Sequence, residues 1–110
     1  MLEENSMNIE KIIDCINKKS IIWTKHCLNR LNQRDILISD VKNAIKTGKI
    51  IEYYYDDYPY PSCLVYGINL NNRVLHVVCG IGNDELWIIT AYYPDISNWN
   101  ADLKTRKENF

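Results

Sequence analysis

At 110 residues, with 46% hydrophobic and 25% charged residues, the chain is sized for one globular domain with a core of its own. A net charge of −1 gives no global attraction to nucleic acid or to an anionic membrane, although a local basic patch is compatible with it. No apolar run approaches the ~20 residues that span a bilayer, and the polar start Met1-Leu2-Glu3-Glu4-Asn5 lacks a signal peptide's apolar stretch, so a cytoplasmic location is expected.

Taken in order, residues 1–7 read as a flexible tail. Asn8 is an N-cap for a first amphipathic helix, in which Ile9, Ile12, Ile13 and Ile16 recur at helical spacing as far as Lys18. Ile21-Ile22-Trp23 reads as a short apolar linker tucked into the core. Thr24 caps a second helix, Lys25 to Arg34, with Cys27, Leu28 and Leu31 on its apolar face. Ser39 is expected to cap a third helix containing Val41, Ala44 and Ile45, closed by Gly48 in a positive-φ conformation.

Beyond Gly48 the period becomes extended. Lys49 to Tyr55 reads as a strand, followed by a proline-punctuated loop from Asp56 to Pro61. Ser62 to Leu70 and Arg73 to Cys79 are expected to pair as a hairpin around a two-residue Asn71-Asn72 turn. The uncharged run from Leu86 to Tyr93 is the most strongly β-like stretch of the chain, ended by Pro94. A short helix from Ile96 to Arg106 is expected to close the chain. The two-residue turn sets Ile68 opposite Leu75 and Leu64 opposite Cys79, on a face expected to carry the helices. His76 then falls on the other face, opposite Gly67, and Thr90 and Tyr92 join it there if Trp87, Ile89 and Ala91 take the helix side.

Few residue types in this pattern are equipped for chemistry. His76, alone among apolar strand residues, is either a satisfied structural histidine or a general acid–base. His26, Arg30 and Arg34 follow at i+4 steps, either as a solvated helix face or as an anion site of guanidinium forks. The tyrosines of the 53–60 segment are able to stack bases, but Glu52, Asp56 and Asp57 repel phosphate, which favours a structural or partner-binding loop. Cys15, Cys27, Cys63 and Cys79 lack zinc-ligand spacing and read as buried thiols, with a nucleophilic Cys27 as the alternative. No phosphate loop and no metal cluster is present in the pattern, so neither cofactor nor metal is expected.

Read together, His26-x-x-x-Arg30-x-x-x-Arg34, Asp40-Val41, Gly48-Lys-Ile-Ile-Glu52, Asp57-x-Pro59-Tyr60-Pro61-Ser62, Gly67, Leu75-His76-Val77-Val78 and Ile89-Thr90-Ala91-Tyr92-Tyr93-Pro94-Asp95 resemble a small bacterial family of unknown function. That family is grouped with the RelE/BrnT-like toxins of type II toxin–antitoxin systems, and the resemblance runs over residues 23–106 of a single domain, 1–110. It implies an α+β, RelE-like fold: N-terminal helices on a roughly four-stranded antiparallel sheet, with the short C-terminal helix. It also implies a metal-independent ribonuclease, with His76 and His26 as base and acid, Arg30 and Arg34 clamping the phosphate, and Tyr92 and Thr90 orienting it or donating a proton. A cognate antitoxin and RNA are the implied partners, self-association is left open, and no membrane is involved. The competing reading is a non-catalytic binding or regulatory module on the same scaffold.

Overall fold

The computed structural model describes residues 7–108; residues 1–6 of the expected tail lie outside them, and Met7 is buried. The element order is α1 (Ile9–Asn17), β1 (Ile21–Trp23), α2 (Lys25–Gln33), α3 (Ile38–Lys46), β2 (Lys49–Tyr54), β3 (Ser62–Ile68), β4 (Val74–Gly82) and β5 (Glu85–Tyr92). The strands form one five-stranded sheet in the order β1-β5-β4-β3-β2, antiparallel except for β1, which runs parallel to β5. The fold is α+β, but the expected four-stranded antiparallel sheet is replaced by a five-stranded mixed one. The helices are likewise not one uninterrupted N-terminal block, because β1 falls between the first two. Ile21-Ile22-Trp23, expected as a linker, is that strand. Three residues are too few to display a period, and their partners Leu86, Trp87 and Ile88 lie more than sixty positions away.

Helix starts follow the local chemistry. Asn8 Oδ1 accepts from Lys11 N–H at 2.9 Å and Thr24 Oγ1 from Cys27 N–H at 3.0 Å. Ser39 is not the cap of α3. That helix begins after Leu37, whose N–H donates to Asp40 Oδ2 at 3.3 Å. Gly48 has no positive φ; its role is clearance, since a Cβ there would stand 2.5 Å from Ala44 O and 2.6 Å from Tyr66 O.

The β3–β4 hairpin differs from expectation by one residue, with large consequences. Its loop is the three residues Leu70-Asn71-Asn72, closed by Asn69 N–H donating to Arg73 O at 2.8 Å, with Asn72 at φ 66°. Asn69 Oδ1 accepts from the N–H groups of both Asn71 and Arg73, which fixes this longer loop. Pairing becomes Ile68 with Val74, Tyr66 with His76, Leu64 with Val78 and Cys63 with Cys79. A slip of one residue exchanges the two faces of a strand. The face under the helices is therefore Cys63, Val65, Gly67, Leu75, Val77 and Cys79, with Leu86, Ile88 and Ala91 of β5, all buried. His76 lies opposite Tyr66, not Gly67. Gly67 sits beneath α3, where a Cβ would come within 1.8 Å of Ala44 O. That close approach is secured by Asn43 donating to the carbonyls of Ile68 and Asn69, by Thr47 Oγ1 accepting from Ile68 N–H, and by Asp40 Oδ1 accepting from Leu70 N–H.

The expected helix from Ile96 to Arg106 does not form. Asp95 accepts from the N–H and hydroxyl of Ser97, and Asp102 from Lys104 N–H, Thr105 N–H and the Thr105 hydroxyl. Aspartate side chains that satisfy local N–H groups compete with helical hydrogen bonding. The segment instead folds as a strap in which Trp99 bridges to Arg106 and Leu103 takes φ 59°. It lies across the sheet face that the helices leave open.

Candidate functional site

Face alternation and one irregularity align the polar groups of β5. Between Val78–Thr90 and Cys79–Ile88 the register slips, leaving Ile89 as an extra, exposed residue. Because of that bulge, Trp87, Thr90 and Tyr92 all share the open face with His76, while Ile88 and Ala91 face the core. Without it, a separation of three positions would put Trp87 and Thr90 on opposite sides.

Strand β1 pairs with β5 only at Leu86, Trp87 and Ile88, so the outer edge of β5 beyond them needs another donor. Arg34, at the C-cap of α2, supplies it. Its Nη1 donates to Ala91 O at 2.8 Å and to the Thr90 hydroxyl at 3.1 Å. Both Nη1 hydrogens are thereby used, and the Nε and Nη2 hydrogens meet no acceptor among the described residues. The guanidinium is fixed in place with three donors to spare. A phosphate or carboxylate takes two such parallel donors.

Next along the strand, Tyr92 stands opposite His76. The His76 ring is fully buried, with its Nε2 2.7 Å from Leu103 O and its Nδ1 3.3 Å from the Tyr92 hydroxyl. A carbonyl only accepts, so Nε2 carries the hydrogen and Nδ1 is the acceptor for the Tyr92 O–H. Burial pushes the imidazole below its ordinary value and the Tyr92 phenol above its own, so both groups rest neutral near pH 7. Tyr66 and Tyr92 stand at 60° and 64° to the imidazole, and the Trp99 ring stands edge-on to it at 4.6 Å. His76 is thus closed off from water by aromatic rings and the strap, and Tyr92, half-exposed, is its outlet.

The strap is pinned by Arg106, which donates to both carboxylate oxygens of Glu52 on β2 at 2.9 and 3.2 Å and lies over the Trp99 ring. Glu52 also accepts from the Tyr54 hydroxyl. Glu52 falls within the Gly48–Glu52 motif, and Trp99 and Leu103 are expected to pack back from a helix. No motif assigns a site role to them or to Arg106, because those roles depend on a non-helical tail crossing the sheet. The positions of Trp87 and Tyr60, whose rings lie 5.8 Å apart, likewise depend on the β5 bulge and the 56–61 loop.

Of the six expected site residues, the fold brings four together: Arg34 and Thr90 in direct contact, and Tyr92 with His76 one pair further along β5. Arg30 is half-exposed on the preceding turn of α2 and His26 is exposed on its first turn. Neither side chain has a polar partner among the described residues, and nothing brings His26 to His76. Cys27 is fully buried and burial raises its thiol, which removes the conditions for a thiolate nucleophile. No group of three or more His, Cys, Asp or Glu placed to hold a metal occurs among the described residues, and none of their helices is long and apolar enough to cross a membrane.

The chain belongs to the family described as Domain of unknown function (DUF4258), which matches residues 23–93. That stretch runs from the last residue of β1 to just past β5 and so holds all six expected site residues. No curated protein and no solved structure matches the chain.

Proposed function

We propose that this member of the family is the toxin of a type II toxin–antitoxin pair, acting in the cytoplasm as a ribonuclease that needs no metal. The observation that carries the reading is the fixed Arg34 guanidinium, with three free N–H groups, docked from α2 on the edge of the strand whose Tyr92 hydroxyl bonds a buried neutral imidazole. Arg34 and Thr90 bind the scissile phosphate and hold the charge that gathers on its oxygens during transfer. Arg30, one helical turn away, extends the cationic track.

Tyr92 accepts the proton of the ribose 2′-OH while passing its own to His76 Nδ1. The 2′-oxygen forms a bond to phosphorus, the bond from phosphorus to the 5′-oxygen breaks, and a cyclic phosphate results. The leaving 5′-oxygen takes a proton from water. His76 never touches RNA in this scheme; it is the proton store behind Tyr92. The antitoxin is the protein partner and covers the Arg34–Tyr92 end of β5.

The test is to express the chain without its partner and follow growth and total RNA, alongside Arg34→Ala and Tyr92→Phe. Growth arrest with RNA cleavage that falls by roughly 10²-fold or more in each variant is expected. Intact RNA and normal growth, the same in all three, overturn the proposal. A second reading, a non-catalytic binding or regulatory module, is favoured by the complete burial of His76 beneath Trp99 and Leu103. It expects His26→Ala and Arg30→Ala to alter partner binding and no reaction.

A further inference from the structure

Strand β5 carries a second recognition element on the Arg34 face. A cavity of about 400 Å³ lies between the 56–61 loop and β5, walled by Tyr58, Tyr60, Trp87 and Ile89, with Asp57 at its border. The loop sits close because β4 has no side chain in its way: a Cβ on Gly82 would lie 2.2 Å from the Tyr60 ring, and one on Gly80 would lie 2.3 Å from Pro61 O. Asp57 is anchored by accepting from the Ser62 hydroxyl through Oδ2, and its Oδ1 has no partner among the described residues. Tyr58 is 94% exposed, a ring at the mouth of the cavity with almost no contact to its own protein.

From this placement we infer that the cavity is a nucleobase pocket for the nucleotide whose phosphate Arg34 holds, and that it selects guanine. Aromatic rings stack any base face, which explains the walls. The polarity explains the choice. Asp56 and Asp57 repel a phosphate, so the acidic, aromatic end of β5 takes the base while the cationic end takes the backbone. Trp87 and Thr90 stand opposite Gly80 and Val78, two positions apart on β4, so about 7 Å of strand separates them on one face, the scale of one nucleotide. Among the bases, only guanine presents two adjacent donors, N1–H and the 2-amino group, on its Watson–Crick edge. A carboxylate accepts that pair and has nothing to offer an edge of acceptors. The inference rests on the Arg34 phosphate site, and the experiment separates the two.

Guanosine 3′-monophosphate, inosine 3′-monophosphate and inorganic phosphate are titrated into the ¹⁵N-labelled full chain, following the Trp87 indole N–H, the Tyr58 amide and the Thr90 amide. Guanosine monophosphate is expected to move all three signals and to bind roughly tenfold more tightly than the inosine nucleotide, which lacks the 2-amino group. Asp57→Asn keeps an acceptor for Ser62 and should erase that preference. Tyr58→Ala, at a residue too exposed to matter for folding, should weaken both nucleotides alike. Arg34→Ala should weaken both while leaving their ratio unchanged. A Trp87 signal that stays still at saturating nucleotide, or a guanosine-to-inosine ratio near one in the unmodified chain, overturns the base pocket. The Thr90 response to phosphate would survive that result. A preserved ratio with no effect of Arg34→Ala instead sinks the phosphate site and leaves the pocket standing.

Discussion

Replacing Gly67 by alanine tests the hairpin register on which the faces of β3 depend. The new Cβ would lie 1.8 Å from Ala44 O, 2.6 Å from its carbonyl carbon and 2.8 Å from its Cα, where real contacts are essentially never shorter than 3.0 Å. All three atoms are backbone, so no side chain can swing aside and α3 must retreat by more than an ångström. That retreat stretches the bonds docking α3 on the hairpin: Asn43 to Ile68 O at 3.0 Å and Asn69 O at 3.2 Å, Ile68 N–H to Thr47 at 3.2 Å, and Leu70 N–H to Asp40 at 3.0 Å. Overpacking of this kind costs about 1–3 kcal/mol, and weakening two or three hydrogen bonds adds about 1 kcal/mol each. The expected destabilisation is about 3–6 kcal/mol, a large share of a small domain's stability. With a urea slope of about 1.5 kcal/mol per molar, the unfolding midpoint should fall by about 2 M or more. Circular dichroism against urea measures it. In the two-residue-turn register, Gly67 would face the His76 side, away from α3, and alanine there would be nearly neutral. A midpoint shift under about 0.5 M would therefore refute the register and the placement of Gly67 beneath α3.

Three further outcomes are expected. His76 is held below its ordinary value of 6.5 by burial, so below that pH the unfolded chain binds a proton that the folded chain refuses; stability present above pH 6.5 is lost as pH falls toward the depressed value. Urea midpoints between pH 7.5 and 5.5 should show a slope of up to about 1.4 kcal/mol per pH unit from this group, and His76→Gln should flatten it. Trp99→Ala removes a 3%-exposed indole packed edge-on against His76 and should cost about 3–5 kcal/mol; an NMR titration should show the His76 ring moving up toward its ordinary value as water reaches it. Arg106→Ala breaks an ion pair with Glu52 that is largely exposed on the arginine side, so it should cost about 1 kcal/mol or less by urea denaturation.

The helices were legible from local sequence because their signals are local: Asn8 and Thr24 cap neighbours three residues away, and the apolar spacing of Ile12 and Ile16, or Cys27 and Leu31, marks the buried stripe. The Arg30–Arg34 stripe and the Thr90–Tyr92 pair were legible too, since a helix and a strand fix which side chains share a side. Tertiary structure alone decided how those sides meet. A three-residue loop held by Asn69, rather than the two-residue turn that Asn71-Asn72 invites, exchanged the faces of β3 while those of β4 stayed as expected, and moved Gly67 from His76 to α3. The bulge at Ile89 returned Trp87 to the side of Thr90, and β1 left free the edge of β5 that Arg34 occupies. The strap over His76 took shape from Asp95, Asp102 and the distant Glu52. Residue types and local spacing settle which elements form, because capping and periodicity act over a few residues. Register, edge pairing and burial of the imidazole depend on contacts between segments far apart in the chain, and local spacing carries no record of those.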